Sequence, residues 1–344
     1  MAIGGNTEKY RLLANGVVFH ELNHDELCAA VVGLSKVLLR PGLNTVVDQD
    51  HFGLWSWLGE LLLSPRAGLF PMDQHEIKSL YETALHASLA ACRKPVASKE
   101  EWQEQNRIQN LQPHHGKQLL LKSHVVLAYL AFPLLEAVLK RACAKYVTFD
   151  GQVVTAFTVA TKQGNPRQYD PQGSYRDRQC SSLRDFLVLY HTSVAGPTLK
   201  ALLNQFRDHI GLLDGTQDPF DLLYSWRNQS LHGSTNFQTI GGTVLNLSLL
   251  ISLFEIEHNF ERHREMVLEH CRWEAQSSYK SPWSFYPPYL KLTAGCRRRA
   301  RSRARLNRDV KRPLSGNPVK PCNDRSGSRG DGRLIVAYRP RADL

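Results

Sequence analysis

No apolar run in this 344-residue chain approaches the ~20 residues that a membrane-spanning helix requires. The most apolar stretch, VLNLSLLISLF from Val244 to Phe254, is about half that length. The first residues, MAIGGNTEKYRLLANG, lack the charged-then-apolar layout of a secretory signal, so a soluble, cytoplasmic protein without a membrane partner is expected. The seven cysteines are scattered and odd in number, with no CxxC spacing. That pattern speaks against both a disulfide framework and a zinc finger, and no cofactor or metal is expected. No internal repeat is found.

An excess of charge is also missing from most of the chain. Of the 43 Lys and Arg and the 32 Asp and Glu, fifteen and four lie from Gly295 onward, which leaves 28 of each sign before it. The net charge of +11 therefore belongs to the last fifty residues. It is densest in RRRARSRAR, where Arg297, Arg298, Arg299, Arg301, Arg303 and Arg305 would attract RNA phosphates without reading sequence. Blocks of like charge are commonly disordered, and residues 295–344 are expected to form a disordered basic tail.

What is present is a succession of helical patterns in a chain with 42% hydrophobic residues, enough for a sizeable core. Asn23 or His24 can cap DELCAAVVGLSKVLLR, and HFGLWSWLGELLL and HEIKSLYETALHASLAACRK follow. Ser98 with Glu101 forms a capping box for EEWQEQNRIQNL. QPHHGK, 112–117, breaks the pattern and is read as a boundary between a helical N-terminal region, 1–112, and a second unit.

That second unit opens with QLLLKSHVVLAYLAFPLLEAVLKRACAKY, a long helix expected to kink at Pro133. Two β-prone runs around Asp150-Gly151 predict a tight hairpin, and the polar stretch 162–180 reads as an exposed insertion. Three helices follow: SLRDFLVLYHTS, then PTLKALLNQFRDHIGLL with Pro197 at its first position, then PFDLLYSWRNQSLH with Asp218 as cap and Pro219 first. One long helix is expected over 243–275.

Within WRNQSLHG, 226–233, Asn228 and His232 lie four apart and share a helix face, and Arg227 sits beside it. Leu222, Leu223 and Trp226 supply the apolar side, which leaves the polar trio toward a cleft or partner. Cutting RNA without a metal calls for these residue types: a proton carrier near pH 7 and a cation for the charge that builds on phosphorus. A helix C-terminus also favours Arg and His in any protein, so spacing alone leaves a purely structural role open. Glu136, on the otherwise apolar FPLLEAVLK, is a candidate partner for Arg227.

The motif together with the helix order resembles the HEPN superfamily, α-helical bundles whose ribonucleases carry RxxxxH to RxxxxxxH with a polar residue, often Asn, after the Arg. The resemblance covers about 118–275. It implies an all-α fold: a HEPN-like bundle, with an insertion at about 147–180, beside the helical N-terminal region and the basic tail. It further implies a metal-independent endoribonuclease of toxin or antiviral-defence type. Arg227 would polarise the scissile phosphate, His232 would transfer protons and Asn228 would orient one of them. Two motifs would be paired in a homodimer, with an antitoxin or regulatory protein as a further partner. Some members of the superfamily only bind, so a non-catalytic module holding RNA or protein is the alternative. The long insertion departs from the compact form of the family.

HELNH, 20–24, matches the zinc-peptidase spacing HExxH and supplies a third reading. A cap at Asn23 or His24 would leave His20 outside the helix, so the two imidazoles would not share a face. Trp55, Trp57 and Trp102 could stack bases but are read as core, His114-His115 as a linker pair, and the RGD at 329–331 as chance.

Overall fold

The computed structural model describes residues 18–38, 49–91, 99–111, 113–232, 240–278, 281 and 284–291. They are mostly helical, and all lie within one compact unit, Met1–Gly295. The first four helices are α1 (His24–Leu38), α2 (Gln49–Leu63), α3 (His75–Ala91) and α4 (Lys99–Leu111). The start of α1 is fixed by a reciprocal cap: Asn23 Oδ1 accepts the Glu26 N–H at 2.9 Å, and the Glu26 carboxylate accepts the Asn23 N–H at 3.0 Å. Ser98 lies outside the described residues.

Next come α5 (His114–Leu121) and α6 (Ser123–Ala142). The expected long helix is therefore divided at Lys122, and Pro133 is accommodated inside α6. Pro133 is on the exposed face of α6, where water can satisfy the carbonyl that proline leaves without a donor. The sharp turn at Asp150-Gly151 is present with Gly151 at φ +91°, but its two arms are joined by the isolated bridge of Val147 with Val153, while Gln152 bridges to Gln179. The two-stranded antiparallel sheet lies further on, β1 (Phe157–Ala160) with β2 (Pro166–Tyr169). Half of it falls in the stretch read as an insertion. Residues 162–168 are exposed as expected, whereas Tyr169 and Cys180 are buried and attach the stretch to the core.

The chain continues with α7 (Leu183–Leu189), whose last turn widens to a π-helix over Tyr190–Val194, then α8 (Pro197–Gly211) and α9 (Pro219–Leu231). The single helix expected over 243–275 is two, α10 (Ile240–Glu255) and α11 (Phe260–Gln276), separated by a 3-10 turn at Glu257–Asn259 and bent by 56°. The run of polar residues Glu257-His258-Asn259 has no apolar face to continue α10, and Phe260 turns back into the core. Among the described residues no single helix is long and apolar enough to cross a membrane.

The expected boundary at 112–117 does not separate one core from another. Every residue of α10 from Ile240 to Leu253 is buried, with α6 and α1 packed against it, while α3 packs on α6. One apolar cluster runs from Phe19 to Tyr289. A helix apolar on all sides needs neighbours all round, and those from 118–231 cover only a portion of it. Polar links cross the same division: Trp55 donates to Asn246 Oδ1 at 2.6 Å, and Asn246 donates to Ser35 Oγ at 2.9 Å.

α10 approaches α6 closely at Gly241, where an added Cβ would lie 2.7 Å from the Ala128 nitrogen and 2.9 Å from its Cα. Backbone cannot yield as a flexible side chain does. Gly241→Ala is expected to lower stability by ~1–3 kcal/mol, as overpacking typically does, read as a shift in the midpoint of urea unfolding. An unchanged midpoint would mean that the two helices move apart without cost.

Candidate functional site

The start of α9 is tied at two points. Asp218 caps it by accepting the Phe220 N–H at 2.9 Å, and the other Asp218 oxygen accepts from Arg207 of α8 at 2.6 Å. In the first turn, Asp221 pairs with Arg184 of α7. Beside this contact lies a charge network centred on the buried Asp185. Asp185 accepts the Tyr169 hydroxyl at 2.6 Å and pairs with Arg184 at 3.3 Å and Arg167 at 3.5 Å. Burial pushes the Tyr169 hydroxyl well above its ordinary value, which keeps it a donor. Phe220, Leu222, Leu223 and Trp226 are buried, as expected for the apolar side, so the opposite face of α9 is oriented outward.

On that outward side Arg227 reaches across to α6 and donates to Glu136 Oε2 at 3.2 Å. A second nitrogen of the same guanidinium donates to Asn228 Oδ1 at 3.1 Å. Two contacts fix the plane of the fork while the Arg227 side chain stays 29% exposed. The remaining oxygen of Glu136 pairs with Lys140, one turn along α6, at 3.2 Å. The Lys140 ammonium also lies over the rings of Phe149 and Phe186 at 5.6 and 5.8 Å. Two cations thus share one carboxylate. A cation face left partly open to solvent is suited to an anionic group.

His232 is exposed and occupies the C-cap of α9, with its backbone N–H on the Asn228 carbonyl at 3.1 Å. Five residues after Arg227, it stands about 140° round the axis and ~7.5 Å along it. Among the described residues the His232 ring makes no hydrogen bond to Arg227, Asn228 or Glu136. The structure therefore brings Arg227, Asn228 and Glu136 together and leaves His232 one turn away, at the end of the same helix. Arg297, Arg298, Arg299, Arg301, Arg303 and Arg305 lie outside the described residues.

Lys140 is the member of this cluster that sequence reasoning missed. Its signal is local, the i,i+4 spacing from Glu136 in EAVLK. The imidazoles of HELNH have separate partners: His20 Nδ1 meets the Tyr286 hydroxyl at 2.7 Å, and His24 Nε2 lies 3.3 Å from the Leu253 carbonyl. His20 sits in a 3-10 turn ahead of α1, as the cap at Asn23 implies. Among the described residues no group of three or more His, Cys, Asp or Glu is arranged to hold a metal ion. Trp55 and Trp57 are fully buried, and the Trp102 side chain lies outside the described residues.

A scan of protein-family models and searches of curated proteins and of solved structures return no match to this chain.

Proposed function

We propose that the junction of α6 and α9 is the active centre of a metal-independent endoribonuclease of toxin or antiviral-defence type, on a HEPN-like bundle. The observation that carries this reading is the Arg227 fork, oriented by Glu136 and Asn228 on a partly open face one turn before the exposed His232. Arg227 receives a phosphate oxygen and offsets the negative charge that develops on phosphorus. The ribose 2′-oxygen attacks phosphorus, its proton passes to a base, and the 5′-oxygen leaves with a proton from an acid. The products are a 2′,3′-cyclic phosphate and a 5′-hydroxyl. His232 serves one of these proton transfers, and in a homodimer a second copy of the chain supplies the other.

The basic residues from Arg297 to Arg305 hold RNA near the bundle without selecting sequence. In this reading the protein is cytoplasmic, with an antitoxin or regulatory protein as a further partner. One observation favours the binding alternative: Glu136 already neutralises Arg227, as an ion pair with a purely structural role would. Incubation of the purified chain with RNA, with and without EDTA, separates the two. The ribonuclease reading expects cleavage that survives the chelator and leaves cyclic phosphate ends. Retention of intact RNA without cleavage favours the binding module.

A further inference from the structure

The last described segment, residues 284–291, lies on α2 and α11 and is fitted to them residue by residue. On α2, a Cβ at Gly53 would come within 2.7 Å of the Tyr289 ring, and one at Gly59 within 2.9 Å of the Phe285 ring, so both positions need glycine for the segment to lie flat. Phe285, Tyr286 and Tyr289 are buried. The polar contacts come from two buried carboxyl groups, each 2% exposed. Glu60 of α2 accepts the backbone N–H of Phe285 at 2.9 Å and of Tyr286 at 3.5 Å. Glu274 of α11 accepts the Ser281 N–H at 2.8 Å and the Ser284 hydroxyl through one oxygen. Its other oxygen is buried without a hydrogen-bond partner among the described residues, with His270 Nε2 3.9 Å away.

We propose that residues 284–291 are a proton-dependent latch, held on α2 and α11 while the Glu60 carboxyl is protonated and released when it ionises. Among the described residues neither carboxyl has an arginine or lysine partner, so ionisation of Glu60 leaves charge in the core without a cation beside it. Opening the latch admits water to both. This device is independent of the chemistry at Arg227 and His232.

The other titratable groups around the latch come from each element packed on it. From α11 these are Cys271, which burial pushes up beyond the usual thiol range, and His263, whose Nε2 lies 2.7 Å from the Leu61 carbonyl. From α3, His86 stacks on Phe285 at 4.7 Å, with Glu82 acting on it electrostatically. From the 3-10 turn, His20 meets the Tyr286 hydroxyl, and Glu21 acts on the same group. Tyr286, Tyr289 and Lys291 belong to the segment itself, and burial drives Tyr286 upward, so it stays protonated throughout.

For Glu60 itself, burial outweighs the two backbone N–H donors, and the Glu274 charge adds to it, raising the carboxyl from 4.5 to about 7. A carboxyl raised in the closed state favours closure fully below its ordinary value. That preference is lost as pH rises to about 7 and is constant above. His86 is shifted down by burial, so its protonation opposes closure at the acid end. The window that reports Glu60 is therefore the weakly acidic range up to pH 7.

The test is amide hydrogen exchange of the 281–291 peptide in the full chain, with the intrinsic exchange rate divided out at each pH. Between pH 5.5 and 7 the opening equilibrium should rise by up to tenfold per pH unit, then level off, while peptides of α6 and α10 stay protected. Glu60→Gln, which keeps an acceptor for Phe285 but cannot ionise, should flatten the series. A flat series in the unsubstituted chain overturns the latch even where the variant fails to fold. So does an unchanged slope in folded Glu60→Gln.

Discussion

Replacing His232 by alanine is expected to slow RNA cleavage by ~10²- to 10⁴-fold, the usual consequence of removing one positioned proton carrier. The ring is exposed at the end of α9, so the fold should be indifferent to its loss. Arg227→Ala should cost ~10²- to 10³-fold, as loss of a fixed donor to a developing oxyanion does. Arg227→Lys should rescue only a fraction of this, because an ammonium keeps the charge but cannot hold Glu136, Asn228 and a phosphate in one plane. Single-turnover rates with circular dichroism of each variant separate chemistry from folding. Near wild-type cleavage by His232→Ala would remove His232 from the mechanism.

Asp185→Ala is the stability counterpart and should be the most costly single truncation of a polar side chain near the site. Asp185 is buried and receives the Tyr169 hydroxyl, Arg184 and Arg167. Its removal leaves a buried hydroxyl without its acceptor and the Arg184 guanidinium with Asp221 as its remaining carboxylate. Breaking one side of such a buried pair typically costs ~3–5 kcal/mol. Asp185→Asn, which keeps an acceptor for Tyr169, should cost less. Urea unfolding of both variants checks this. A loss below ~1 kcal/mol, the range of exposed pairs, would mean that water reaches the network. Because Arg184 also anchors the first turn of α9 through Asp221, partial loss of packing here should displace Arg227 from Glu136 and lower cleavage as well.

The features that the sequence made legible are those in which a residue's partner lies within one helical turn. Asp218 and Pro219 mark the start of α9, Asn23 marks the start of α1, and the apolar triplet Leu222, Leu223 and Trp226 assigns which side of α9 is buried. The Glu136 to Arg227 contact spans 91 residues, yet a lone carboxylate in FPLLEAVLK signals a need for a cation. What sequence reasoning missed depends on distant partners. The shared core of the N-terminal and C-terminal helices follows from a helix buried on every side, whose apolar pattern carries no mark of which neighbours cover it, whereas the division of α10 from α11 has a local mark in the polar run Glu257-His258-Asn259 that a single-helix reading passes over. β1 and β2 are four residues each and lie partly in a polar stretch; their pairing is fixed by Phe157 stacked on Tyr169 at 4.7 Å and by the Tyr169 hydroxyl on Asp185. Glu60 stands alone among apolar residues in HFGLWSWLGELLL and Glu274 lies in a polar helix, and their partners in residues 281–286 are distant from Glu60 and unmarked in sequence.

If the α6–α9 junction directs attack by the ribose 2′-hydroxyl, removing that hydroxyl at one position must abolish the cut there. The cut site is first mapped on a defined RNA, and one 2′-deoxynucleotide is then placed on the 5′ side of the scissile phosphate. The account predicts that cleavage at that phosphate disappears while cuts elsewhere continue, with or without EDTA. Undiminished cleavage at the deoxy position would require a nucleophile other than the 2′-oxygen and would contradict the mechanism assigned to Arg227 and His232.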